Sequence, residues 1–91
     1  MSLGELTDRG AVLRAVEEFD RIGRDAFLAK YGFGRARSYF LVVQGKRYDS
    51  KAIAGVARGV ERPDLGAMRP ADFSGGEKTV AQKLRSLGFE V

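Results

Sequence analysis

Residues 39–58 read YFLVVQGKRYDSKAIAGVAR, and their order decides the fold. Tyr39-Phe40-Leu41-Val42-Val43 is a run of aromatic and β-branched side chains, the composition of a buried strand. Gln44-Gly45 follows, and glycine accepts the positive φ that a tight reversal demands. Lys46-Arg47-Tyr48 then runs back as a short second strand. Asp49 or Ser50 offers a side-chain oxygen to the free N–H groups of a helix start. The helix itself is predicted over Lys51–Arg58, stopping at Gly59 as a left-handed C-terminal residue. The stretch is a hairpin feeding a short helix, and it carries four cations, Lys46, Arg47, Lys51 and Arg58, against one anion, Asp49.

Helical spacing puts Ala52, Ile53, Val56 and Ala57 on one face of that helix, which should pack inward. Lys51, Ala54, Gly55 and Arg58 form the other face, with cations at its ends and almost no side chain between them. Such a face suits a phosphate backbone, with Lys51 and the N-terminal amides near an anion. It equally suits a second helix packed closely on Ala54-Gly55. On the second strand, alternation sets Arg47 and Asp49 on one face and Tyr48 with Lys46 on the other. One of these faces must cover the core. Tyr48 is therefore either an exposed ring able to stack on a base or a buried structural aromatic.

Upstream, Met1–Leu6 is expected to be loose at its start, and Thr7 is placed to cap a helix over Asp8–Arg21. Val12, Ala15, Val16, Phe19 and Ile22 give that helix one apolar stripe. Gly23 breaks it, and Arg24–Tyr31 reads as a second helix with Phe27 and Leu28 inward and Gly32 at its end. The segment Tyr31–Ser38, YGFGRARS, connects to the first strand, with Phe33 facing the core and Arg35 and Arg37 facing out. Arginine forks match phosphate oxygens and guanine edges. The Gly-Phe-Gly spacing lacks the preceding strand and the third glycine of a dinucleotide-binding loop.

Downstream, Val60–Phe73 holds both prolines and reads as a wrapping loop anchored by Met68 and Phe73, with a helical turn at Pro70-Ala71-Asp72. Arg62 and Arg69 extend the basic surface. Ser74-Gly75-Gly76-Glu77 has the spacing of a capping box. The same Ser74, Gly75 and Gly76 form a nest of amides able to contact a phosphate. A last helix is predicted over Gly75–Leu87 with Val80, Leu84 and Leu87 inward, stopped by Gly88. Phe89-Glu90-Val91 alternates as a third strand beside Tyr39–Val43. The fold class is α+β: two N-terminal helices, a hairpin, a short helix, a long loop, and a C-terminal helix and strand on a small antiparallel sheet.

A chain of 91 residues forms one domain, 1–91. It contains no Cys and no His, which removes disulfides, thiolate or imidazole metal sites and histidine general bases. No cofactor motif is present and no apolar run approaches the length of a membrane span. The lack of cysteine fits the cytoplasm. Lys and Arg number 16 against 12 Asp and Glu, a net charge of +4. Residues 31–60 carry that excess, with Arg35, Arg37, Lys46, Arg47, Lys51 and Arg58 against Asp49 alone. A segregated basic region is the footprint of a polyanion partner. A metal-dependent nuclease needs several convergent carboxylates, and none cluster here. Asp49 is the sole general-base candidate within the basic region, and at a helix start it reads as a cap. No catalytic residue is assigned.

Three segments, RIGRDAFLAKYGFGRARSYFLV, GKRYDSKAIAGVA and DFSGGEKTVAQKLRSLGFEV, resemble the N-terminal head domain of McrA-like, modification-dependent HNH restriction endonucleases of the ScoMcrA type. The resemblance runs over about residues 15–91, and GKRYDSKAIAG and FSGGE are its most specific parts. In that family the head precedes domains that read phosphorothioate or modified cytosine, and the nuclease comes last. The resemblance implies a non-catalytic, DNA-associated module of a type IV restriction enzyme, partnered by its downstream domains. The expected contacts to double-stranded, possibly modified DNA are Arg35, Arg37, Ser38, Lys46, Arg47, Tyr48, Ser50, Lys51 and Arg58. The alternative is a module that docks the other domains of the nuclease or a second copy.

Overall fold

The structure is a computed structural model and describes residues 3–73 and 75–91. After a 3-10 turn at Leu3–Glu5, the elements are α1 (Arg9–Ile22), α2 (Arg24–Tyr31), β1 (Phe40–Val43), β2 (Lys46–Asp49), α3 (Ser50–Glu61), a 3-10 turn at Pro70–Asp72, and α4 (Glu77–Ser86). The α+β class is as the sequence predicts. Strands β1 and β2 pair antiparallel with Val43 opposite Lys46. Gln44 and Gly45 both take positive φ, 51° and 78°. These values suit a two-residue reversal whose twist matches the strands.

Helix α3 is the axis of the domain, with α1, α2, α4 and β2 all packed on it. It is longer than expected, running through Gly59 to Glu61. It is also buried on both faces: every residue from Ala52 to Arg58 is inside. Of the two alternatives for Ala54-Gly55, the open, phosphate-facing surface is therefore excluded and close packing is what the fold shows. Over Gly55 the cover is the Met68 carbonyl with the Phe33 and Phe73 rings. A Cβ on Gly55 would lie 2.8 Å from the Met68 carbonyl oxygen and 2.9 Å from the Phe33 ring. One on Gly59 would lie 2.6 Å from the Ala67 nitrogen. Gly59 is thus a site of close backbone approach and not a helix stop.

Tertiary contacts also replace the caps read from local sequence. Asp8, not Thr7, caps α1, accepting from the Gly10 N–H at 2.8 Å. Thr7 turns to Glu61 at the end of α3, whose carboxylate accepts from the Thr7 hydroxyl and from the backbone N–H groups of Thr7 and Asp8. Neither Asp49 nor Ser50 caps α3: Asp49 makes no side-chain cap bond, and the Ser50 hydroxyl donates to the Tyr39 carbonyl at 2.9 Å. Helix α4 begins at Glu77 with Gly76 at its N-cap. The capping box called on Ser74 lies outside the described residues. The C-terminal strand shrinks to one bridge, Val42 with Glu90.

The core beneath α1 is aromatic. Phe19 packs on Phe27 and edge-on to Tyr48, at 5.1 and 4.9 Å between ring centres. Phe33 is buried as expected, and Met68 is a full core anchor. Among the described residues no helix is long and apolar enough to cross a membrane.

Candidate nucleic-acid interface

The site is built outward from Asp49, where β2 hands over to α3. Its carboxylate is 2 % exposed and receives both forks of Arg24, Nε to Oδ1 at 2.9 Å and an Nη to Oδ2 at 2.8 Å. Oδ2 also accepts the Ala36 N–H at 2.8 Å. Burial pushes this carboxyl up, but Arg24 and the Ala36 amide outweigh that and hold it below its ordinary value. A buried anion so paired is a fixed post. It ties the 33–38 connection, with Arg35 and Arg37, to the start of α3.

Arg35, Lys51 and the opening of α3 line one cleft of about 190 Å³, whose other walls include Phe33, Ala36, Pro70 and Glu77. The first N–H groups of a helix have no intrahelical partner and carry its positive dipole end. With Asp49 neutralised by Arg24, cations dominate this rim, opposed by Glu77. Lys51 leans on Phe73, its Nζ 5.1 Å from the ring centre.

The remaining cations differ in how they are held. Arg37 and Ser38 are exposed, and the Arg37 guanidinium makes no ion pair among the described residues. Arg47 is exposed and its guanidinium carbon lies 4.6 Å from the Phe40 ring centre, a cation–π contact. Arg35 pairs with Asp25 at 2.8 Å and Lys46 with Asp20 at 3.4 Å. These pairs are solvent-exposed, of a kind worth about 0–1 kcal/mol, so a phosphate can compete for either cation.

Three of the expected contact residues sit inside the domain. Tyr48 is 2 % exposed and donates its hydroxyl to Asp20 at 2.9 Å. Ser50 is buried and committed to Tyr39. Arg58 is buried completely, donating to Glu5 at 3.0 Å and to the carbonyls of Leu65 and Gly66. Gly75 and Gly76 are exposed, while the phosphate nest called with them rests on Ser74, outside the described residues. Local sequence gave no sign of Asp20, Asp25 or Arg24 as partners, because each pairing joins residues that are 10 to 28 apart in the chain.

A solved structure described as the type IV phosphorothioation-dependent restriction endonuclease ScoMcrA is similar to this chain, with 41 % identity and a TM-score of 0.61. The similarity covers 90 % of this chain and 12 % of that one, so the chain spans a small part of the endonuclease's length. Curated proteins yield no match. The profile of the ScoMcrA-like N-terminal head domain matches residues 4–91. Matched over nearly its full length, the chain belongs to the ScoMcrA-like N-terminal head domain family.

Proposed function

We propose that this domain binds double-stranded DNA as a non-catalytic module of a modification-dependent restriction endonuclease. In this reading Arg35, Arg37, Lys46, Arg47 and Lys51 contact the duplex, Ser38 adds a hydroxyl, and Tyr48, Ser50 and Arg58 act only through the fold. The carrying observation is that Arg35, Arg37, Lys46 and Arg47 are exposed and Lys51 is half-buried, with Arg35 and Lys51 lining the cleft at the start of α3. Phosphate contacts of this kind position a protein on DNA, and an exposed arginine fork such as that of Arg47 adds a means of reaching base edges. The similarity to a phosphorothioation-dependent enzyme supports modified DNA as the partner class. Docking to protein has less support, since Leu13 is the only large hydrophobic side chain exposed among the described residues.

The test is a set of single substitutions titrated against one duplex. Arg37→Ala, Arg47→Ala and Lys51→Ala should each weaken binding and flatten the salt dependence by about one unit of slope. Arg14→Ala and Arg21→Ala, exposed on α1, remove the same charge elsewhere and should leave the slope nearly unchanged. Equal losses at all five positions would show a diffuse charge effect and no interface.

A further inference from the structure

We infer that Asp49 is the positioning residue of the DNA-contacting arginine loop, acting on DNA through residues 35–37 without touching it. The inference rests on the proposed interface. The loop between α2 and β1 contains two exposed arginines and few anchors of its own. Phe33 fixes its entry by packing in the core. Beyond Phe33, two bonds fasten its backbone among the described residues: the Ala36 N–H donates to Asp49, and the Tyr39 carbonyl, at the far end, accepts from the Ser50 hydroxyl. Ala36 stands between Arg35 and Arg37, so its bond to Asp49 fixes the stretch of backbone from which both side chains leave. The carboxylate is itself immobilised by the two Arg24 bonds, one of them to the same Oδ2, and it is almost fully shielded from water. A group held in this way reduces the ordering cost of a loop at the moment of binding, the usual source of affinity from preorganisation.

Asp49→Asn removes a negative charge beside a basic surface, and simple electrostatics then predicts tighter binding to a polyanion. Positioning predicts weaker binding. With its one oxygen in the place of Oδ2, Asn still accepts from Ala36 but sets its NH2 against Arg24 Nε, and the charge-assisted pair that immobilises the Ala36 anchor is weakened. The experiment measures duplex affinity and its salt slope for wild type, Asp49→Asn, the pair Arg35→Ala/Arg37→Ala, and the triple variant, all well below their melting temperatures. Asp49→Asn should lose roughly tenfold in affinity and some of the salt slope. The triple variant should bind as the Arg35→Ala/Arg37→Ala pair does, because nothing remains to be positioned.

Wild-type or tighter binding by Asp49→Asn, with the arginine pair still weak, overturns the inference and leaves the interface standing. Losses that multiply in the triple variant overturn it too, since they mark a general structural role. An arginine pair that binds like wild type removes this loop from the interface and the inference with it. Should Asp49→Asn fail to fold, Arg24→Gln repeats the comparison from the half-exposed side of the same pair. Its loss should likewise vanish in the Arg35→Ala/Arg37→Ala background, and a loss that persists there overturns the inference.

Discussion

Tyr48 and Arg47 are adjacent, yet alternation along β2 sends them to different tasks. The sequence requires one face of β2 to be buried without saying which. Phe19 decides it by offering an aromatic edge from α1, and Asp20, next along that helix, receives the hydroxyl. Lys46 shares Tyr48's face but lies at the hairpin end, where it stays exposed and reaches the same Asp20. Tyr48→Ala should therefore destabilise the domain by about 3–5 kcal/mol, as other large aromatic truncations do. Tyr48→Phe should cost only about 1 kcal/mol, since the Asp20 carboxylate it abandons is solvated. Burial, and then the Asp20 carboxylate, push the Tyr48 phenol up to about 12. A raised pKa contributes stability that is whole below the unfolded value of about 10 and is lost as pH climbs towards the folded one. Melting curves should thus show the wild-type advantage over Tyr48→Phe shrinking between about pH 10 and 12. A constant gap across that range would contradict the burial of the hydroxyl. Arg58 carries the same lesson: its charge is plain in the sequence, but its burial against Glu5 depends on a residue 53 positions away.

At the scale of elements, α1, α2, the hairpin and the existence of α3 and α4 were legible, because periodicity and turn residues are local signals. The outer face of α3 was not. Its covering segment is irregular and has no period to read, so the sequence leaves an open and a closely packed Ala54-Gly55 equally possible, while Met68 and Phe33 close over Gly55. The C-terminal segment lies beside β1 as expected, but its pairing is a single bridge, Val42 with Glu90, with Phe89 against the Arg9 guanidinium. The glycines of α3 give a direct check. In an exposed helix Gly→Ala gains about 1 kcal/mol of propensity. Here the new methyl meets backbone atoms that cannot swing aside, and overpacking of that kind costs about 1–3 kcal/mol. Gly55→Ala and Gly59→Ala should both lower the denaturation midpoint. Gly34→Ala, where nothing lies within 4 Å, should stay within about 0.5 kcal/mol of wild type. A stabilised Gly59→Ala would mean that the 66–67 segment does not lie on the helix.

For the whole molecule the decisive quantity is how much of the basic charge remains available. The sequence located the excess in residues 31–60 correctly, but it gave no account of what the fold does with it. Arg58 is withdrawn into the core, Arg35 and Lys46 are lightly paired by the acids Asp25 and Asp20, and Arg37, Arg47 and Lys51 make no ion pair among the described residues. These partners come from the α1–α2 corner, which no charge count along the chain connects to the hairpin. A body about 27 Å across its longest axis spans only a short run of duplex, so between three and five phosphate contacts are expected. Each neutralised phosphate contributes about −0.9 to the slope of log affinity against log salt. Titration of the 91-residue chain with a short duplex across a range of salt concentrations measures this directly. The account predicts binding at low salt that weakens with a slope of about −2.7 to −4.5; a flat response, or no binding at low salt, would contradict it.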